Sequence, residues 1–419
     1  MTITPTSQKE RIISLDILRG FAVLGILIMN IQSFSMIGAA YINPYAHGDI
    51  SETNKIVWLL SHIFASSKFI SIFSILFGAG MILFIEKLKS KGINSISLHF
   101  RRTLWLLIFG LAHAYLLWHG DILVAYAVCA LFIVWFRNKK PRTLFIIGAC
   151  FIAVSLLSNF MTGISIPYMD EATRTGLLQS WQPTSEMISH EINAYRGSFI
   201  TQIPTRFFAA LKMQTFLFIF YIGWEVAGIM LIGMGLYKLD ILSGKKSNRF
   251  YSALCITGLT IGLLLTTTGF YQNTQHNFSY DYSFFLGSQY NRIGSICMSI
   301  GYIGVVMLLI NNFKKNWISR GLQAMGQTAL SNYLIQSIIC SFIFYGHGLG
   351  LYEKVELWQQ VFFVLGIWII QLIVSPIWLR YFHFGPFEWI WRSLTYWKIQ
   401  KFKKDITPSE DNQFKKQFA

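Results

Sequence analysis

The sequence predicts an all-α protein, a polytopic bundle of about ten transmembrane helices with both termini in the cytoplasm. Of its 419 residues, 53% are hydrophobic and only 13% are charged, whereas soluble proteins carry about a quarter charged residues. Roughly 20 apolar residues cross the hydrocarbon core of a bilayer. Stretches of this kind lie at 17–36, 67–86, 103–118, 121–136, 143–162, 217–237, 250–270, 289–311, 323–345 and 358–379.

The distribution of basic residues predicts the orientation of these spans. With ten spans, nearly all lysine and arginine clusters fall on one side, as they do in the cytoplasmic loops of membrane proteins. Topology thus explains the net charge of +16. We expect a multi-pass protein of the bacterial cytoplasmic (inner) membrane, with the lipid bilayer rather than nucleic acid as its partner. The clusters are Lys9/Arg11, Lys87/Lys89/Lys91/Arg101/Arg102, Arg137/Lys139/Lys140/Arg142, Lys238/Lys245/Lys246/Arg249, Lys314/Lys315/Arg320 and the tail from Lys398 to Lys416.

The chain divides into two five-span units with a long connection between them. Residues 1–162 form the first unit, 163–216 an external segment of short amphipathic helices, 217–400 the second unit and 401–419 a basic cytoplasmic tail. Gly385-Pro386 predicts a final amphipathic helix, 387–400, along the cytoplasmic face. Because charged residues open the first apolar run, we expect a retained helix rather than a cleaved signal.

The first helix places three polar residues on one stripe. At 100° per residue, Asp16, Arg19 and Asn30 fall within about a 60° sector. Ionisable groups inside a span are costly and are functional candidates by default. The alternative is that Asp16 and Arg19 only neutralise each other and dock the helix.

The third stretch carries His113 and ends at Trp118-His119-Gly120, with Asp121 directly after it. A carboxylate that orients an imidazole forms a general base, so this pair is the catalytic candidate. A packed, hydrogen-bonded histidine is the structural alternative. The five cysteines lie in apolar spans without a Cys-x-x-Cys motif. We therefore expect no disulfide framework, no metal site and no permanently bound cofactor.

Two other charged residues lie in apolar surroundings. Lys68 opens the second stretch and would either snorkel to the interface or pair with Asp121 or Glu225. Glu225, in the sixth stretch, would be protonated or paired with Lys68 or Arg292. The ninth stretch contains Asn332 and Gln336, whose amides are typical of hydrogen bonds between helices.

These stretches carry a family resemblance over almost the whole chain. Leu15-Asp16…Arg19-Gly20, Lys68-Phe69…Leu76-Phe77-Gly78-Ala79-Gly80, His113…Gly120-Asp121-Ile122-Leu123 and Gly385-Pro386-Phe387-Glu388-Trp389 resemble the YeiB family of bacterial inner-membrane proteins. The C-terminal half of that family is a domain of unknown function. His119 departs from the pattern, in which an acid is expected before Gly120.

The Leu-Asp…Arg-Gly opening also resembles, more distantly, transmembrane acyltransferases such as the lysosomal heparan-glucosaminide acetyltransferase. That resemblance implies a transferase that moves an acyl group from cytosolic acyl-CoA to a small-molecule or glycan acceptor outside the cytoplasm, by means of a histidine. His47, His62 and His113 all remain open for that role, and we favour His113. An oligomer is compatible with the sequence.

In this hypothesis Arg19 and Arg102 attract the CoA phosphates. His113, oriented by Asp121, activates the acceptor, and Asn30 or Lys68 stabilises the oxyanion. Two alternatives belong to other classes. In proton-coupled transport of a small metabolite or anion, Asp16, His113, Asp121 and Glu225 form a relay. A scaffold protein would leave its polar residues packed, without a cavity.

Overall fold

Helices account for nearly all regular structure in the computed structural model, which describes residues 11–312 and 316–405. In that part of the chain the only β-type pairing is an isolated bridge between Phe382 and Lys403. The prediction of an all-α bundle is confirmed. Lys9, Lys314, Lys315 and the tail beyond 405 lie outside the described residues. The α-helices are α1 (Ile13–Ser35), α2 (Glu52–Phe64), α3 (Lys68–Ser90), α4 (Ser95–Ala112), α5 (Leu123–Ile133), α6 (Pro141–Ser165), α7 (Glu171–Trp181), α8 (Ser185–Arg196), α9 (Ile203–Lys212), α10 (Gly223–Lys238), α11 (Asn248–Gln275), α12 (Tyr280–Tyr282), α13 (Ser288–Asn312), α14 (Trp317–Gln327), α15 (Ala329–Phe344), α16 (Leu357–Tyr381) and α17 (Pro386–Tyr396).

Each predicted apolar stretch contains a helix, but the helices differ in how well they suit a membrane. Within the described residues, seven helical segments are long and apolar enough to cross one. Two more, Leu123–Phe136 and Ala329–Phe344, are apolar but shorter. The stretch 103–118 is divided between α4, whose first half carries charged residues, and a π-helical turn, His113–Leu117. The chain is thus a multi-pass membrane protein. Seven helical segments of the described chain meet this criterion of length and composition, and the number of ten spans stays a prediction.

Helix α1 lies at the centre of the bundle. Of the 18 residues that form the apolar window of α1, 72% are buried inside the bundle. In the corresponding windows of α6, α11 and α16 only 22% are buried. The apolar outer faces of those three helices suit contact with lipid. At the start of α1, the backbone of Asp16 lies against Gly326, where a Cβ atom would overlap the Asp16 carbonyl. The central helix therefore packs directly on the backbone of α14.

Amide side chains join the helices around α1, as predicted for the ninth stretch. Gln336 Nε2 donates to Gln371 Oε1 of α16 at 2.8 Å and to the carbonyl of Val23 in α1 at 3.2 Å. Asn332 Nδ2 donates to Ser375 Oγ at 3.2 Å. The helix of the ninth stretch is broken at Thr328, which separates α14 from α15.

The end of the bundle that carries α2 and α7–α9 is called the opposite face. The segment 163–216 contains three short helices there, as expected. Trp181 ties α7 to the loop after α11, since its indole donates to the carbonyl of Phe278 at 3.0 Å. Elsewhere on this face His47 Nε2 lies 3.2 Å from Glu353 Oε1, and this hydrogen bond raises the pKa of His47 although burial opposes it.

The other end, called the basic face, carries α17 and the lysine and arginine clusters. Helix α17 ends at Tyr396, where Trp397 takes a left-handed conformation with φ 51°. It is therefore shorter than the predicted 387–400. Glu388 accepts hydrogen bonds from the backbone N–H and the hydroxyl of Ser331. Burial raises the pKa of Glu388, and the two bonds from Ser331 oppose this.

We predict that the opposite face is extracytoplasmic. A periplasmically active alkaline phosphatase fused within the loop between α8 and α9 should be active, because cytoplasmic loops carry the excess of lysine and arginine. The same reporter fused in the basic loop between α10 and α11 is the control and should be inactive. The reverse pattern of activities would contradict the topology.

Candidate functional site

The His113–Asp121 pair lies at a turn between α4 and α5. Nδ1 of His113 is 2.6 Å from Oδ2 of Asp121, and both side chains are almost fully buried, at 2% and 0% exposure. Oδ1 of Asp121 also accepts the backbone N–H of Val124 at 2.8 Å. The carboxylate thereby stabilises the start of α5 while it holds the imidazole. The pairing suggested by the spacing in the sequence is present in the structure.

This geometry leaves the other nitrogen of His113 free. With Nδ1 hydrogen-bonded to a carboxylate, the neutral ring carries its proton there and its lone pair on Nε2. Nε2 is buried and has no hydrogen-bond partner within the described chain. The ring centroid lies 5.2 Å from that of Tyr333 and 6.2 Å from that of Trp118. A buried imidazole with an unused lone pair is equipped to accept a proton.

A cavity of about 290 Å³ extends inward from the basic face. Its outer part is lined by basic side chains and its inner part by apolar and aromatic ones. The inner end includes Ile122, Leu123, Tyr126 and Tyr333, so that the cavity reaches the ring that packs on His113. The hydroxyl of Tyr333 lies 3.4 Å from the backbone N–H of Ile122, the residue directly after Asp121.

The charges at the outer part of the cavity are unequally paired. Asp16 Oδ1 lies 3.0 Å from Arg19 Nη1, and Asp16 Oδ2 lies 3.4 Å from Arg11 Nη1. The guanidinium of Arg102 instead lies between two aromatic rings, with Cζ 4.4 Å from the centroids of both Phe84 and Trp391. Asp16 thus neutralises part of the charge of Arg11 and Arg19, whereas Arg102 is paired with none of the described acids and is held by the faces of two aromatic rings.

The side chains of His113 and Asp121 do not themselves line the cavity, and three other predicted site residues, Asn30, Lys68 and Glu225, also lie outside its lining. Asn30 is buried on α1. Lys68 neither snorkels nor pairs with an acid; its ammonium is buried and donates to the carbonyl of His62 at 2.8 Å and to Asn291 Oδ1 at 2.5 Å. That expectation was wrong, because the left-handed turn at Ser67 starts α3 with Lys68 facing α13.

Glu225 is paired with Arg292, one of the two partners that we considered. Their Oε2 and Nη1 atoms are 2.7 Å apart, and both side chains are partly exposed. The pair joins α10 to α13 and does not line the cavity. Glu225 is therefore separate from the residues around His113.

The other two candidate histidines have different surroundings. His62 stacks on Trp58, with ring centroids 4.7 Å apart. His47 has a carboxylate partner, but its side chain is 36% exposed on the opposite face. No group of three or more metal-binding side chains occurs in residues 11–312 and 316–405. Of the three histidines, His113 alone combines a buried carboxylate with a neighbour that lines the cavity.

Tyr333 and Arg392 line the cavity at positions that matter for its chemistry, but they were not among the predicted site residues. Tyr333 forms the inner end, and Arg392 of α17 lines the cavity with its Cζ 4.7 Å from the ring of Phe384. Both belong to motifs that the sequence carries, Asn332-Tyr333 and Trp391-Arg392. Nothing in their spacing indicated that α15 and α17 meet α4 at one cavity.

Comparisons with known proteins agree with the motifs. Residues 236–398 match a family model described as a protein of unknown function, DUF418. The chain is 31% identical to the uncharacterised protein YxaH of Bacillus subtilis (strain 168) over 96% of this chain and 98% of that protein. It is 31% identical to the uncharacterised protein YeiB of Escherichia coli (strain K12) over 92% of this chain and 96% of that protein. The chain therefore belongs to the YeiB family of membrane proteins.

Proposed function

We propose that this protein transfers an acyl group from acyl-CoA, bound on the cytoplasmic side, to an acceptor on the far side of the membrane. One observation carries the proposal. The cavity of the basic face ends at Tyr333, whose ring centroid is 5.2 Å from that of His113. A site for an anionic donor thus leads to a buried base with an unused lone pair.

The cavity suits the two chemically different parts of acyl-CoA. Its volume of about 290 Å³ is near the lower end for small-molecule sites, roughly 300–1,000 Å³. We assign it to the narrow pantetheine arm with its thioester, and the nucleotide to the outer basic part. Arg102 and Arg392 there are the residues for the phosphates, since guanidinium groups bind phosphate in charge-assisted pairs. Arg19 contributes less, because it is paired with Asp16.

The transfer follows from this placement. Nε2 of His113 accepts the proton of an acceptor hydroxyl or amine as that group attacks the thioester carbonyl. A bond forms from the acyl carbon to oxygen or nitrogen, the bond to sulfur breaks, and the proton passes from His113 to the CoA thiolate. We assign the oxyanion to the hydroxyl of Tyr333, which lines the inner end of the cavity, in place of Asn30 or Lys68.

Transport is the weaker alternative for these residues. A proton relay through Asp16, His113, Asp121 and Glu225 requires contact between them. Glu225 is paired with Arg292 away from the cavity. Asp16 lies at the cavity's outer part, where its oxygens face Arg11 and Arg19. Acyl transfer, by contrast, uses the cavity and the histidine together.

Acetyl-CoA or a longer acyl-CoA should bind the purified protein and raise its unfolding temperature. Arg102→Gln should weaken this binding by about tenfold or more, because it removes a charge-assisted contact to phosphate. Titration calorimetry measures the affinity. Arg101→Gln, which removes the same charge from the neighbouring position outside the cavity lining, is the matched control. Equal affinities for the two variants, or no binding to the wild type, would contradict the assignment.

His113→Gln should abolish acyl transfer while the protein stays folded and inserted. Glutamine keeps hydrogen bonding but cannot accept a proton near neutral pH, and general base catalysis contributes about 100- to 10,000-fold. The measurement is transfer of radiolabelled acetyl groups from acetyl-CoA to cell-envelope material in inverted membrane vesicles. If His113 only packs, the Gln variant stays active and His113→Leu lowers the stability by about 0.6–2 kcal/mol. An active His113→Gln enzyme would end the case for this residue.

Asp121→Asn should reduce transfer less than His113→Gln does. The asparagine oxygen can still accept the N–H of Val124, so the start of α5 is kept. Its NH₂ group, however, favours the tautomer of His113 that carries the proton on Nε2, where the lone pair is needed. A fraction of His113 keeps the productive tautomer. The same vesicle assay checks this, and full activity of Asp121→Asn would exclude an orienting role.

A further inference from the structure

Arg206 of α9 is a fully buried cation on the opposite face. Its side chain is 1% exposed. Nη1 donates to the carbonyls of Leu116 and Leu117 at 2.8 and 3.0 Å, and Cζ lies 4.8 Å from the ring centroid of Phe199. Nε and Nη2 are buried without a hydrogen-bond partner in the described chain. None of the described carboxylates is paired with it, and its polar neighbours are Tyr345, Tyr195, His119 and His347.

The unused atoms of Arg206 form one binding edge. The guanidinium presents a planar fork, and Nε with Nη2 can hold two oxygens of a carboxylate or a phosphate. A buried charge is costly unless it is paired and hydrogen-bonded. The carbonyls of Leu116 and Leu117 and the ring of Phe199 satisfy one part of the Arg206 guanidinium. Its remaining N–H groups, on Nε and Nη2, are arranged to bind two oxygens of one anion.

Two further groups beside Arg206 lack partners. The indole Nε1 of Trp118 and the hydroxyl of Tyr345 are both buried without a hydrogen bond to any described residue. An indole N–H can only donate. The ring of Phe34 joins the two residues, since it stacks on Trp118 at 4.4 Å and lies 5.9 Å from Tyr345. Unsatisfied buried polar groups are rare in proteins, so several in one place need an explanation.

The same turn of the chain connects this cluster to the base. Leu116 and Leu117, whose carbonyls accept the hydrogen bonds of Arg206, are the last two residues of the π-helical turn that begins at His113. The ring centroid of Trp118 is 6.2 Å from that of His113. The unpartnered donor of Trp118 is thus close to His113, whose ring also packs on Tyr333 at the inner end of the cavity. Departures from α-helical geometry of this kind are common at functional sites.

Helix α8 covers the cluster. Tyr195 is its only buried residue, and its ring packs on Tyr345 at 4.9 Å and on Tyr352 at 4.8 Å. Polar contacts at the helix end hold it there, since Arg196 donates to the carbonyls of Tyr352 and Glu353 at 2.8 and 3.1 Å. Glu191 of the same helix accepts hydrogen bonds from the backbone N–H of Gly38 and from the Tyr352 hydroxyl, both at 2.9 Å, so that polar contacts fasten this cover.

We propose that Arg206, Trp118 and Tyr345 form a binding site for an anionic group, a phosphate or a carboxylate, beneath α8. The oxyanion takes the fork of Arg206 and accepts hydrogen bonds from Trp118 Nε1 and the Tyr345 hydroxyl. Its identification with the acceptor rests on the proposed function. In that case the acceptor carries an acidic group, bound near His113. The anion site itself does not depend on acyl transfer.

The test is the unfolding temperature of detergent-purified protein, without CoA, in inorganic phosphate or acetate against sodium chloride of equal ionic strength. Phosphate or acetate should raise it in a saturable manner, because a ligand of the folded state stabilises that state. Arg206→Gln should lose this response. Arg174→Gln, which removes the same charge from the exposed α7, should keep it. Arg101→Gln, outside the cavity lining, should also keep it.

Tyr345→Phe keeps the ring and removes only the unpartnered hydroxyl. The variant should fold, with an unfolding temperature without ligand equal to or above that of the wild type, because the lost group has no partner among the described residues. It should weaken anion binding by about tenfold or more. A structural role predicts the opposite, a lower unfolding temperature without ligand and an unchanged response to it. This variant also tests the site if Arg206→Gln fails to fold.

Nanodiscs distinguish a soluble anion from a lipid headgroup. If phosphatidylglycerol stabilises the wild type but not Arg206→Gln, relative to phosphatidylcholine, the bound phosphate is that of a lipid. If phosphate, acetate and phosphatidylglycerol all give no Arg206-dependent effect, the proposal is wrong. Acetyl-CoA binding to Arg206→Gln reports on the proposed function separately, since Arg206 does not line the cavity. The anion site at Arg206 and the acyl-CoA site in the cavity are therefore tested independently of each other.

Discussion

The candidate site depends on the two hydrogen bonds that the carboxylate of Asp121 accepts. One oxygen accepts the N–H of Val124 and so begins α5, while the other is 2.6 Å from Nδ1 of His113 at the end of α4. The same side chain thus sets where one helix starts and which tautomer the imidazole takes. In an interior with little water, both bonds are stronger than they are in solution. The turn between α4 and α5 is consequently held in one arrangement, and the unused Nε2 with it.

The two ends of α1 place different groups around this turn, charged side chains at one end and an aromatic ring at the other. Helix α1 is the most buried span, and its charged end lies at the cavity of the basic face, where Asp16 pairs with Arg11 and Arg19. Its other end supplies Phe34, which stacks on Trp118. A single central helix therefore contributes both to the cavity of the basic face and to the cluster around Trp118 near His113. The apolar outer helices isolate these polar groups from lipid, where they would be costly.

Much of the fold was predictable because it depends on local composition. Apolar length located every helix of the ten stretches, and the eight-residue separation of His113 and Asp121 suggested their contact. What could not be predicted depends on tertiary packing. Tyr333 reaches the site from a position 211 residues after Ile122. The inward direction of Lys68 is set by one left-handed residue, Ser67, with φ 64°, and such a local exception carries no signal in hydropathy.

The burial of His113 bears on how a group could cross the membrane here. A transporter must move a whole solute through the bilayer, with a site that opens to each side in turn. A transferase needs only the reacting carbon to meet the acceptor at one base. His113 is 4% exposed, and the rings of Tyr333 and Trp118 pack near it, so bulk water has little access. Exclusion of water protects a thioester from hydrolysis and strengthens the electrostatic effect of Asp121 on the imidazole. The groups that close the site are thus as necessary to such chemistry as the base, because an open channel at His113 would admit the competing nucleophile.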